Sequence, residues 1–130
     1  MMTCWLIDDN KIDLLVTHKL LQTWEPSLSI REFSNGREAL TLLNQPEVEP
    51  PQFIYLDLFM PKFSGWEFLE EYQTVSNHKI SIYVLSSSVD QYDIDRVSNY
   101  KGVQGYISKP MTEEGLRRAI AAYKQRPIEI

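Results

Sequence analysis

The chain has 130 residues, 43% of them hydrophobic, and a formal net charge of −5 at pH 7. This length favours one domain with its own core, so we expect a single domain over 1–130 with a core at about 3–124. An acidic chain argues against direct nucleic-acid binding. No segment is apolar enough to suggest a membrane span, and because no basic stretch followed by an apolar one opens the sequence, we expect no secretory signal. The single cysteine, Cys4, fits a reducing compartment, so we expect a cytoplasmic protein.

Short apolar runs alternate with helical patterns along the chain. The predicted strands lie at 3–7, 28–33, 53–57, 80–85 and 103–107. The predicted helices run from the residue after Asp9 to about Trp24, then at 37–44, from Ser64 to Tyr72, at 89–100 and from Thr112 onward.

Local signals support several of these helices. The first has apolar positions at Ile12, Leu15, Val16 and Leu20. A capping box, a hydroxyl at the N-cap with a carboxylate three residues later, opens the third helix at Ser64. The last helix is expected to turn four side chains inward: Leu116, Ala119, Ile120 and Tyr123.

Five successive β-α units predict an α/β fold with a doubly wound parallel sheet. Parallel crossovers are right-handed, and the flavodoxin-like strand order 2-1-3-4-5 suits this size. That order places the first strand beside the third.

Acidic residues follow these two strands where each one ends. Asp8 and Asp9 come after the first strand, Asp57 ends the third, and Lys109 follows the fifth. Ligands of open parallel sheets bind beyond the carboxyl ends of the strands. Carboxylates so close together raise one another's pKa, and Mg²⁺ is a natural compensation because it prefers oxygen ligands. Taken alone, Asp8 and Asp9 would be interpreted as caps of the first helix, but together with Asp57 and Lys109 we expect capping to be a minor contribution.

The motifs, in this order, resemble the response-regulator receiver family, in its stand-alone, chemotaxis-regulator-like form. The resemblance runs from Cys4 to about Tyr123 and rests on Asp8-Asp9, Asp57, Met60-Pro61 with Gly65, Ser86-Ser87-Ser88, Gly105-Tyr106 and Lys109-Pro110.

The resemblance implies a phosphoacceptor site. Asp57 would accept a phosphoryl group from a phosphohistidine, and Ser86 and Lys109 would each contact a phosphoryl oxygen. Tyr106 would be an aromatic switch that turns inward with Ser86, although a fixed core aromatic is an equal alternative. The Lys109–Pro110 peptide bond would be cis, a state that is realistic only before proline.

The resemblance also implies a metal site. Asp9 would bind Mg²⁺, or Mn²⁺ in its place, directly, and Asp8 mainly through water. Asp57 and the backbone carbonyl of Phe59 would complete the ligands. Two positions depart from the family pattern: Ser86 stands where threonine is more frequent, and the bulky Phe59 is expected to slow hydrolysis of the phosphorylated state by shielding it.

The implied function is that of a bacterial two-component or phosphorelay signalling protein. Its partners would be a sensor histidine kinase or a histidine phosphotransfer protein, and a downstream protein. The chain would be a monomer or a phosphorylation-dependent homodimer. It would not be an enzyme beyond its own phosphorylation and dephosphorylation. The alternative is a phosphorylation-independent protein-binding module on the same fold. A phosphatase of the aspartyl-phosphate type would need an aspartate where Phe59 stands, and no glycine-rich nucleotide loop is present.

Overall fold

Five parallel strands form the centre of the computed structural model, which describes residues 2–75, 79–88, 90–115 and 117. They are β1 (Thr3–Ile7), β2 (Ser29–Phe33), β3 (Phe53–Asp57), β4 (Ser81–Ser86) and β5 (Val103–Ser108). Their order is β2-β1-β3-β4-β5, and all four neighbouring pairs are parallel. The predicted flavodoxin-like strand order is therefore confirmed.

Four helices connect the strands: α1 (Lys11–Trp24), α2 (Gly36–Leu43), α3 (Gly65–Tyr72) and α4 (Gln91–Ser98). The predicted capping box at Ser64 is present. Helix α4 is shorter than predicted, because the Asp90 side chain accepts the N–H of Tyr92 and so caps the helix there. None of the helices in the described part of the chain is long and apolar enough to cross a bilayer.

A last helix begins after Thr112, whose hydroxyl accepts the N–H of Gly115 at 3.0 Å. The four positions predicted to face inward lie outside the described residues: Leu116, Ala119, Ile120 and Tyr123.

Hydrophobic cores lie on both faces of the sheet, as a doubly wound sheet requires. Alternate residues of β1 serve the two cores. Trp5 and Ile7 pack with residues of α2, α3 and α4, whereas Cys4 and Leu6 pack with residues of α1. The strands are thereby held from both sides, and their carboxyl ends form one fixed edge.

The apolar positions named in the sequence for α1 are not the ones that form its buried face. Leu14, Thr17 and Leu21 are the buried residues, while Ile12 is 72% and Leu15 58% exposed. The buried positions lie three and four residues apart and form the stripe that faces the sheet. The N-terminal half of α1 therefore leaves apolar side chains on the surface.

Candidate functional site

The carboxyl ends of β1 and β3 bring three carboxylates together. Ile7 pairs with Leu56, so that Asp8 and Asp57 follow as neighbours. Asp8 and Asp57 are buried, whereas Asp9 is exposed. Carboxylate oxygens of all three aspartates lie within 4.8 Å of one another, close enough to share one cation.

The electrostatics of this cluster call for added positive charge. Burial, and then the negative charge of Asp8, raise the pKa of Asp57 to about 7. The charge of Lys109 and the backbone N–H of Phe59 oppose this rise only in part. A hard divalent cation would relieve the repulsion and prefers oxygen ligands, so the three carboxylates fit the predicted metal site.

Lys109 supplies a fixed positive charge at the same edge. Its Nζ lies 2.8 Å from Asp8 Oδ2, 2.9 Å from Asp13 Oδ2 and 3.4 Å from Asp57 Oδ1. Burial lowers the pKa of Lys109, but hydrogen bonds to Asp8 and Asp13 and the nearby negative charges outweigh it and raise that pKa to about 12. The ammonium is thus held charged against the carboxylates.

The backbone around Lys109 is fixed by its neighbours. Its N–H donates to the carbonyl of Ser86 at 2.8 Å, which ties the ends of β4 and β5 together. The Lys109–Pro110 peptide bond is cis, as the family resemblance implies. Lys109 and Ser86 therefore reach the site from two neighbouring strand ends that a backbone hydrogen bond joins.

The hydroxyl-bearing loop after β4 forms a small network around Ser88. Ser86 is fully buried, and its hydroxyl accepts the N–H of Ser88 at 3.0 Å. The Ser88 hydroxyl donates to Asp93 at 3.1 Å, and the Ser88 carbonyl accepts the Tyr106 hydroxyl at 2.8 Å. The loop thus links Ser86 both to α4 and to Tyr106, while Ser87 is exposed.

Phe59 borders the site on the β3 side. Its N–H donates to Asp57 Oδ1 at 3.3 Å, and its side chain is 51% exposed. The ring is therefore at the rim, where the predicted shielding would have to act.

Gly65 lets α3 begin directly against the end of β3. A Cβ there would lie 2.4 Å from the carbonyl oxygen of Asp57 and 2.6 Å from Leu58 Cα. The Gly65 N–H donates to the Leu58 carbonyl at 2.9 Å. Because Gly65 has no side chain, the start of α3 can pack this closely against the backbone of Asp57 and Leu58.

Asp13 is the site residue that sequence reasoning missed. It lies in the first turn of α1, where its N–H donates to the capping Asn10 side chain at 3.1 Å. The available signal was its place in the first turn of the helix that directly follows Asp8 and Asp9, which puts it at the same end of the sheet.

A lysine and a buried hydroxyl beside an acidic cluster, at the edge of a doubly wound sheet, are the groups that a phosphate-responsive signalling domain needs. Comparison with known proteins agrees. Residues 4–121 match the response regulator receiver domain, and the chain belongs to that family. Its role is that of a phosphorelay receiver.

Individual relatives are consistent with this assignment. The chain is 28% identical over 120 residues to the probable C4-dicarboxylate response regulator DctR of Bacillus subtilis, covering 92% of this chain and 51% of the relative. It is 32% identical to the CpxR homolog of Haemophilus influenzae, covering 93% and 49%. The chain thus spans about half the length of these curated relatives.

A solved structure provides a further comparison. The phosphorylated cyanobacterial phytochrome response regulator RcpA superposes with a TM-score of 0.76 at 27% identity, covering 95% of this chain and 91% of RcpA.

Proposed function

We propose that Asp57 accepts a phosphoryl group from a phosphohistidine of a sensor histidine kinase or a histidine phosphotransfer protein, and that this changes a protein-binding surface. The observation that carries the proposal is Lys109 Nζ, held between Asp8 and Asp57 beside a cluster of three carboxylates. The phosphorylated state of RcpA, a structural relative, supports it.

The proposed reaction moves one phosphoryl group. An Asp57 carboxylate oxygen forms the new P–O bond, the P–N bond to the donor imidazole breaks, and the imidazole nitrogen keeps that electron pair. Such transfers depend on positioning and charge neutralisation. Lys109 stabilises the negative charge on the phosphoryl oxygens from a fixed position.

The proposed metal ligands are Asp9 directly, Asp8 mainly through water, Asp57 and the carbonyl of Phe59. Mg²⁺, or Mn²⁺ in its place, would neutralise charge shared by the acceptor and the phosphoryl oxygens. Since the pKa of Asp57 is raised to about 7, neutralisation of the cluster also favours the ionised, nucleophilic carboxylate.

The proposed switch runs through the Ser88 network. A hydrogen bond from the Ser86 hydroxyl to the new phosphoryl group would draw that hydroxyl away from the Ser88 N–H, which it accepts at 3.0 Å. Ser88 also contacts Asp93 of α4 and Tyr106 of β5. We therefore place the responsive surface on α4, β5 and the start of the last helix, as a shift between two existing states.

The N-terminal half of α1 is the proposed contact for the phosphodonor. Asp13 reaches Lys109 at 2.9 Å, so this part of α1 borders the site. Ile12, Leu15 and Val16 are exposed there, and exposed apolar side chains beside a reactive group suit a protein partner.

The remaining features of the proposal concern the whole protein. We propose one domain over 1–130 in the cytoplasm, a downstream protein partner, and a monomer that either persists or dimerises on phosphorylation. The chain acts catalytically only on itself.

The test is intact mass after incubation with a small phosphodonor, for wild type and Asp57→Asn, with and without Mg²⁺. We expect a Mg²⁺-dependent phosphoryl increment in the wild type that Asp57→Asn lacks. Glu49→Gln, an exposed change in the loop before β3, is the control and should behave as the wild type. Absence of both an increment and Mg²⁺ binding by titration would favour a phosphorylation-independent binding module.

A further inference from the structure

Lys109 uses three acceptors, and one of them comes from outside the acidic cluster. Within the described residues, the carboxylates that converge are those of Asp8, Asp9 and Asp57. Asp13 comes from the first turn of α1 and meets Lys109 Nζ at 2.9 Å. Its side chain is 29% exposed, compared with 12% for Lys109.

The three distances to the ammonium are unequal. The contacts to Asp8 and Asp13, at 2.8 and 2.9 Å, have the length of charge-assisted hydrogen bonds. The contact to Asp57, at 3.4 Å, is longer. An ammonium group has three N–H donors at fixed angles, so two short bonds determine where the third N–H points.

We propose that Asp13 is a positioning residue for the phosphorylation reaction: with Asp8 it fixes two N–H groups of Lys109, so that the third is aimed at Asp57. This inference rests on the proposed function. A phosphoryl group on Asp57 extends the acceptor beyond the carboxylate and replaces the long 3.4 Å contact, while both short bonds persist. The lysine then stabilises the developing charge without having to reorient, which is the advantage of preorganised donors.

A purely structural role for Asp13 makes different predictions. An acidic residue in the first turn stabilises a helix through the dipole whether or not a lysine is present. The proposed role disappears when Lys109 is removed, so the two roles separate in a double-mutant cycle.

The experiment compares wild type, Asp13→Ala, Lys109→Gln and the double variant. Initial rates of phosphorylation by acetyl phosphate are measured over a range of donor concentrations at saturating Mg²⁺. We expect Asp13→Ala to lower the maximal rate about tenfold, the size of one lost hydrogen bond to a charged group. The half-saturating donor concentration should change by less than about twofold, since the lost contact acts on the reacting state.

Three further results complete the expectation. Asp13→Ala should have no additional effect in the Lys109→Gln background, Asp13→Glu should recover part of the rate, and Mg²⁺ affinity should remain near that of the wild type. Thermal unfolding checks that each variant is folded. An equal rate loss with and without Lys109, or an unchanged or faster rate in Asp13→Ala, would overturn the proposal.

A second measurement separates this inference from the proposed function. If the wild type takes no phosphoryl group, the proposed function fails. The hydrogen bond between Lys109 and Asp13 is then followed through the side-chain ammonium signal of Lys109 in ¹⁵N NMR. That signal is assigned by its loss in Lys109→Gln. We expect that signal to broaden or shift in Asp13→Ala, and an unchanged signal would reject the positioning role as well.

Discussion

Replacing Asp57 by asparagine should stabilise the metal-free protein at neutral and alkaline pH. The pKa of Asp57 rises from its ordinary value of 3.8 to about 7 in the folded state, first through burial and then through the charge of Asp8. Below pH 3.8 the residue is protonated in both states and contributes nothing. As the pH rises from 3.8 to 7, the unfolded chain ionises first, so the folded state loses stability, and above pH 7 the whole cost is present.

The magnitude follows from the size of this shift. One pKa unit corresponds to 1.36 kcal/mol, so the shift from 3.8 to about 7 gives about 4 kcal/mol. That value already includes the attraction of Lys109 at 3.4 Å. Asparagine has nearly the same shape without the charge, and it keeps an oxygen for the N–H of Phe59. We therefore expect Asp57→Asn to raise the free energy of unfolding by about 4 kcal/mol at pH 8.5.

The assay is urea unfolding in EDTA from pH 4 to pH 8.5, followed by tryptophan fluorescence, to which the buried Trp5 contributes. The difference in the free energy of unfolding between Asp57→Asn and wild type should be small at pH 4 and grow until about pH 7. Saturating Mg²⁺ should narrow it at pH 8.5, because a cation at 100 times its Kd stabilises the wild type by about 2.7 kcal/mol. Glu49→Gln should show no such growth with pH. A constant difference across the range, or a less stable variant at pH 8.5, would refute the reasoning.

Three further changes probe the surroundings of Asp57. Gly65→Ala should lower the free energy of unfolding in urea by about 2 kcal/mol or more, because its Cβ would meet the Asp57 carbonyl oxygen at 2.4 Å; Gly36→Ala, which meets only side chains at 3.2 Å, should cost less. Phe59→Asn should shorten the lifetime of phosphorylated Asp57 severalfold, measured by loss of the phosphoryl mass increment; an equal or longer lifetime would contradict shielding. For a sensor kinase that phosphorylates the wild type, Ile12→Ser should slow phosphoryl transfer about tenfold, while the rate of phosphorylation by acetyl phosphate stays unchanged. Equal slowing with both donors would instead place Ile12 in the phosphoacceptor site itself.

The fold followed from the sequence because the three central strands, β1, β3 and β4, are short apolar runs that are almost entirely buried, whereas the edge strands β2 and β5 are partly exposed. Strands β1 and β3 have their predicted bounds, and the other three differ by one residue at one or both ends. Helix ends were less certain, since a single capping side chain such as Asp90 decides them. Strand order also predicted that Asp8 and Asp57 would be neighbours, because both follow strands that lie side by side.

The phase of α1 could not be predicted from periodicity. Two overlapping stripes were available, and three residues of the longer apolar one, Ile12, Leu15 and Val16, are exposed. The sheet selected the stripe of Leu14, Thr17 and Leu21 instead, because packing against neighbouring residues overrides the local pattern. The orientation of α1 about its own axis also places Asp13 against Lys109. The unpredicted buried face and the missed site residue therefore have a single cause.

The acidic cluster destabilises the folded protein, and this destabilisation is connected to the proposed binding of a cation. A carboxylate that is solvated and unpaired ionises freely, so it gains little free energy from binding a cation or pairing with a lysine. Asp57 is buried beside Asp8, which raises its pKa, and whatever neutralises the pair gains that free energy on binding. Lys109 supplies part of this charge permanently, with Asp8 and Asp13 directing it. The remainder is left for a divalent cation, so the destabilising cluster is itself the source of the metal dependence that we predict.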